Sequence, residues 1–115
     1  MNYRVILQAE GRSKDGEWFG LYAARDVRAV DGPEASRLAT TQLQAAWNAA
    51  AHGQLDGADA VATWRAPVLS LRRSRTSGHT FYNDDAEAQR EALRLEAEAS
   101  GLPKRVLKDL LSRLP

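Results

Sequence analysis

Apolar and polar residues alternate from the first positions of this chain. Tyr3, Val5, Leu7 and Ala9 share one parity, and Arg4, Gln8 and Glu10 the other, with Ile6 interrupting the polar set. A period of two marks a half-buried strand. Gly11 to Glu17, G-R-S-K-D-G-E, is rich in turn formers and reads as a loop. A second alternation follows: Phe19, Leu21, Ala23, Val27 and Ala29 against Trp18, Tyr22, Asp26 and Arg28. Two strands across a short loop predict an antiparallel hairpin.

The period then changes. Asp31 offers an N-cap oxygen, Glu34 completes a D-x-x-E box, and Pro33 suits a first turn where a missing N–H costs little. Ala35, Leu38, Ala39, Leu43, Ala46, Trp47 and Ala50 recur at spacings of three and four, which predicts one apolar helical stripe ending near His52 and Gly53. Gln54 to Gly57 reads as a turn. Ala60 to Trp64 fits either a helical turn or a short strand. Val68 to Arg75 reads as a strand that turns basic, Thr76-Ser77-Gly78 as a turn, and His79 to Tyr82 as the returning strand. Pro67 belongs at a strand start or a sheet edge. Asp84 and Glu87 open a further helix with Ala88, Ala92, Leu95 and Ala99 along one face and Gly101 as its stop. Pro103 opens a last helix striped by Leu107, Leu110, Leu111 and Leu114. The expected fold is α+β, in the order β-β-α-β-β-α-α: an antiparallel sheet of three to four strands with one long helix on a face. Residues 1–83 form the sheet–helix domain, and 84–115 a helical appendage to the same unit.

Composition narrows the functions. The chain has 115 residues, 43% hydrophobic and 27% charged, which fits a single globular domain. A net charge of +1 gives no global field for nucleic acid or an anionic membrane. With no cysteine, disulfides, thiolate catalysis and cysteine-based zinc sites are excluded. No apolar run approaches the ~20 residues of a membrane span, and the N-terminus has no signal-peptide pattern, so a cytoplasmic location is expected.

Candidate chemistry is thin. His52 and His79 stand apart, with no second ligand at helical spacing, so neither a metal site nor a cofactor is expected. His52 falls where a cation favours a helix C-terminus. His79, near Asp84 and Asp85, is a candidate base. Those two aspartates, being adjacent, diverge on a helix and suit its positive end instead. Glu87–Arg90, Glu91–Arg94 and Arg94–Glu98, with Glu96 among them, read as a solvated face. G-R-S-K-D-G precedes a strand, so it lacks the helix-end donors that hold phosphate.

The sharpest local feature is R-R-S-R-T-S-G-H. Arg72, Arg73, Arg75 and His79, with Arg65 upstream and Phe81-Tyr82 downstream, form a candidate nucleic-acid or anion patch. Trp47 fits the core stripe. Trp18 and Tyr22 lie on the opposite sheet face, which the C-terminal helices or a second copy must cover. With Leu107, Leu110, Leu111 and Leu114 they form a candidate interaction surface. Arg25 shares the core parity, so it needs a bulge, a sheet rim or a buried pair with a carboxylate.

G-L-Y-A-A-R-D-V-R-A, the P-E-A helix start and G-H-T-F-Y-N-D-D resemble the G-F-Y-T-T-R-x-V and G-x-T-F-Y motifs of a group of small uncharacterised bacterial proteins. That resemblance implies a fold unit and no particular activity. The opening strand–strand–helix order is also similar to HicB-type antitoxin domains, which have a partial ribonuclease-H-like fold. The G-C-x-x-x-G style segment usual before their helix is missing here. Three functional classes follow: a non-enzymatic protein-interaction module acting as a homodimer or on another protein, a nucleic-acid-binding regulator, and a small enzyme with a pocket near Arg25 or His79.

Overall fold

Eleven residues of alternating character on each side of a tight loop build the first hairpin. β1 (Asn2–Arg12) pairs with β2 (Trp18–Arg28) in unbroken antiparallel register, from Asn2 opposite Arg28 to Arg12 opposite Trp18. The loop closes on a Gly16 N–H to Ser13 carbonyl bond of 2.9 Å, with Gly16 at φ 83°. A left-handed residue at that point is one glycine adopts without strain. In this computed structural model residues 1–50, 54–66 and 79–114 are described.

α1 (Gly32–Ala50) begins as its capping box dictates. The Glu34 N–H donates to Asp31 Oδ1 at 2.9 Å, and the Val30 N–H donates to Glu34 Oε1 at 3.2 Å. Ala35, Ala39, Leu43 and Trp47, four apart, are its buried residues. The helix crosses the sheet and delivers β3 (Gln54–Arg65) to the free side of β1. β4 (His79–Tyr82) pairs antiparallel with β2, giving four strands in the order β3-β1-β2-β4. The α+β class and the element order match the sequence expectation.

The third strand departs from it. Gln54 to Gly57 is not a turn, and Ala60 to Trp64 is strand; both belong to β3. Its register slips opposite Ile6/Leu7 and again opposite Glu10/Gly11, so two irregularities scramble the alternation that would have revealed it. The strand expected at Val68–Arg75, the turn at Thr76–Gly78, and Pro67, His52 and Gly53 lie outside the described residues. His79–Tyr82 returns to the sheet on β2.

α2 (Ala86–Ser100) starts on Asp85, whose side chain accepts from the Glu87 N–H, so the cap is one residue later than the D-x-x-E spacing suggests. It ends at Gly101, φ 76°, as the sequence predicts. α3 (Lys104–Ser112) follows. Both helices cover the sheet face that α1 leaves open. One core layer holds Val5, Leu7, Leu21, Ala23, Leu43 and Trp47. The other holds Ile6, Tyr22, Tyr82, Leu93, Ala97, Leu107 and Leu110. The buried side of α2 is Ala92, Leu93, Glu96, Ala97 and Ser100, while Leu95 stands 50% exposed. Of the expected stripe Ala88 and Ala92 face the core, while Leu95 and Ala99 are exposed: alanines all round the helix leave little contrast between faces, and docking on β2 and β4 chooses between them.

A long-range ion pair and a close approach fix this second layer. Arg4 Nε donates to Asp26 Oδ1 at 2.8 Å with both side chains about nine-tenths buried, and Arg4 Nη1 donates to the Ser100 carbonyl at 2.9 Å. One guanidinium thus joins two strands to the C-terminal end of α2. At Gly20 the place of a Cβ is filled by the Tyr82 ring.

Candidate functional site

The residues of the expected interaction surface are wholly or partly buried. Tyr22 is 1% exposed, Leu107 and Leu110 are buried, and Trp18, Leu111 and Leu114 pack partly buried against the same cluster. The chain's own C-terminal helices supply the cover, because the α3 stripe docks on the Trp18/Tyr22 face rather than remaining open. Tyr22 and Tyr82 stack at 5.4 Å. Gln89 Nε2 donates to the Tyr22 hydroxyl at 3.2 Å and Gln8 Nε2 to the Tyr82 hydroxyl at 2.8 Å. Burial raises the pKa of both phenols above the ordinary 10.0.

Arg25 is buried, but among the described residues its bonded partners are a backbone carbonyl and a histidine, not the carboxylate expected of a buried pair. No bulge re-aims it; it lies opposite Val5 in the regular β1–β2 register and is 5% exposed. Its Nη1 donates to the Ala24 carbonyl at 2.9 Å. Its Nη2 lies 3.1 Å from His79 Nε2. Arginine has only donors, so His79 accepts there and carries its proton on Nδ1. Burial lowers the Arg25 pKa, and the nearby Glu96 charge opposes that shift. The His79 ring meets Trp47 edge-on at 5.9 Å, with Phe19 and Phe81 completing an aromatic group around it.

Glu96 is the residue that sequence reasoning missed. It is 7% exposed, not part of a solvated face. Among the described residues, pairing between β2 and β4 ends at Ala23 opposite His79. The Ala24 N–H donates to Glu96 Oε1 at 3.0 Å, and the Thr80 hydroxyl donates to Glu96 Oε2 at 2.7 Å. The carboxylate thus ties β2 just past that pair to β4. Only the strand register could have revealed this role, since Glu91 and Glu98 carry the same side chain on the same helix. The neighbouring Glu91–Arg94 pair is present at 2.9 Å and exposed. Arg90 donates instead to the Leu111 carbonyl at 2.8 Å.

The basic patch divides. Arg65 ends β3 and is exposed, His79 is held by Arg25, and Arg72, Arg73 and Arg75 lie outside the described residues. Among the described residues no group of three or more histidines and acids is placed to hold a metal ion. Among the described residues no helix is long and apolar enough to cross a membrane.

The surface with the strongest geometry is one the sequence did not advertise. β3 is an edge strand of twelve residues, paired only with β1 among the described residues. Beneath its C-terminal half a groove of about 290 Å³ runs between Val61–Trp64 and Leu102, Val106 and Leu110 of the α3 region. Beneath its N-terminal half a concavity of about 210 Å³ is lined by Gln8, Glu10, Asp56, Gly57 and Asp59. Comparison with known proteins gives no match to a family model, a curated protein or a solved structure.

Proposed function

We propose that this chain is a non-enzymatic protein-interaction module that captures a partner by strand addition along the edge of β3 that no described strand pairs. The carrying observation is the conjunction of a long edge strand with an apolar groove directly beneath it. An unpaired edge presents a row of backbone donors and acceptors, and those supply affinity to any extended segment. Side-chain pockets under the edge supply selectivity. The polar groups in the Arg25–His79 and Glu96–Thr80 cluster are bonded to one another and to β2. They stabilise the far side of the sheet and support no acid–base role in this reading. The apolar face on which self-association would have rested is covered by α2 and α3, so the partner in this reading is another polypeptide. A cysteine-free chain suits a cytoplasmic partner.

Selection of a random octapeptide library displayed on phage against the purified chain tests this. Enriched peptides, made synthetically, are expected to shift the backbone amide resonances of β3 and to lose affinity when Trp64 is replaced by Ala. No enrichment over an unrelated control protein, or shifts confined to other elements, would overturn the reading.

A further inference from the structure

We infer that the β3 edge takes an extended segment laid antiparallel to it, whose alternate side chains run apolar, apolar, basic, basic. This inference rests on the strand-addition reading above. In the β1 register the β3 residues on the α2–α3 face are Trp64 opposite Arg4, Ala62 opposite Ile6, Asp59 opposite Gln8 and Gly57 opposite Glu10. An incoming strand puts a side chain over each of these in steps of two residues. The first two fall over the apolar groove beside Val106 and Leu110. The next falls beside Asp59, and the last beside Asp56, across Gly57 from Glu10.

Charge complementarity selects the occupant. Glu10, Asp56 and Asp59 are exposed and converge on one concavity, and none takes part in an ion pair among the described residues. Two lysines or arginines on the incoming strand would meet them on the face where they gather. A second copy of β3 fits poorly. Two-fold antiparallel pairing that sets Asp59 against Ala62 would bring the other copy's Arg65 opposite Asp56 and leave Glu10 and Asp59 without a cation among the described residues. Arg113, beside the groove, is already bonded to Asp109 at 2.7 Å. Acids on an edge also discourage self-pairing in general. The antiparallel direction follows the rest of the sheet, where every pair is antiparallel.

Fluorescence anisotropy with the full chain and the labelled peptide T-V-T-I-T-R-T-K tests the assignment. Saturable binding is expected, weakening as salt is raised. The double variant Asp56→Lys with Asp59→Lys is expected to lose tenfold or more for this peptide and to gain for T-V-T-I-T-E-T-E, a gain that only a folded variant can show. The reversed peptide, K-T-R-T-I-T-V-T, is expected to bind at least tenfold more weakly. Equal binding of the basic and acidic peptides by the unaltered chain would overturn the charge assignment and leave strand addition standing. Equal binding of the reversed peptide would overturn the direction. Binding of none of them, with no β3 amide shift, would overturn both this inference and the reading beneath it.

Discussion

Glu96 shows how much one side chain can depend on what lies opposite it. Its two oxygens accept from the Ala24 amide and the Thr80 hydroxyl in a site closed to water. Removing an acceptor from a buried donor costs the desolvation of that donor, about 1–3 kcal/mol. Glu96→Ala is therefore expected to lower unfolding stability by about 2–3 kcal/mol in a urea titration. Glu91→Ala, five residues earlier on an exposed pair, should stay within about 0.5 kcal/mol. A loss at Glu96 no larger than at Glu91 would mean that the Ala24 amide finds another acceptor. Arg25 was legible as a residue needing a partner, because its parity put a cation on the core side. Its partners were not legible, since His79 is 54 positions away and meets it through strand pairing alone.

At the scale of elements, the hairpin and α1 could be read directly, because alternation and the three–four spacing are strong signals when both are clean. β3 and the orientation of α2 could not. Two register slips break the parity of β3, and its Asp56-Gly57 pair imitates a turn. In α2 the leucines at 93 and 95 compete, and only one meets the sheet. Leu93 is 2% exposed and Leu95 is 50% exposed. Leu93→Ala should cost about 2–5 kcal/mol by cavity formation, whereas Leu95→Ala should fall within about 0.5 kcal/mol. Comparable losses at both positions in thermal or urea unfolding would place the helix in a different rotation about its axis.

For the whole molecule, the sequence showed that two sheet faces needed cover, and the structure assigns α1 to one and α2 with α3 to the other. The second face carries the stacked tyrosines, whose pKa values burial pushes up. A group with a raised folded-state pKa contributes stability that is fully present below its unfolded value and is lost as pH rises through the folded value. Here that window opens near pH 10.0 and extends upward. Stability is therefore expected to fall as pH climbs past it. Phenolate absorbance of Tyr22 and Tyr82 should appear later than that of a free tyrosine, and replacing both by Phe should flatten the pH dependence. Tyr82 has a further consequence through Gly20. Its ring occupies the volume that any larger residue at position 20 would claim, so neither position is free to change alone. Among descendants of this chain the two should drift as a coupled pair, glycine persisting wherever the aromatic persists and bulk at 20 surviving only where 82 has become small.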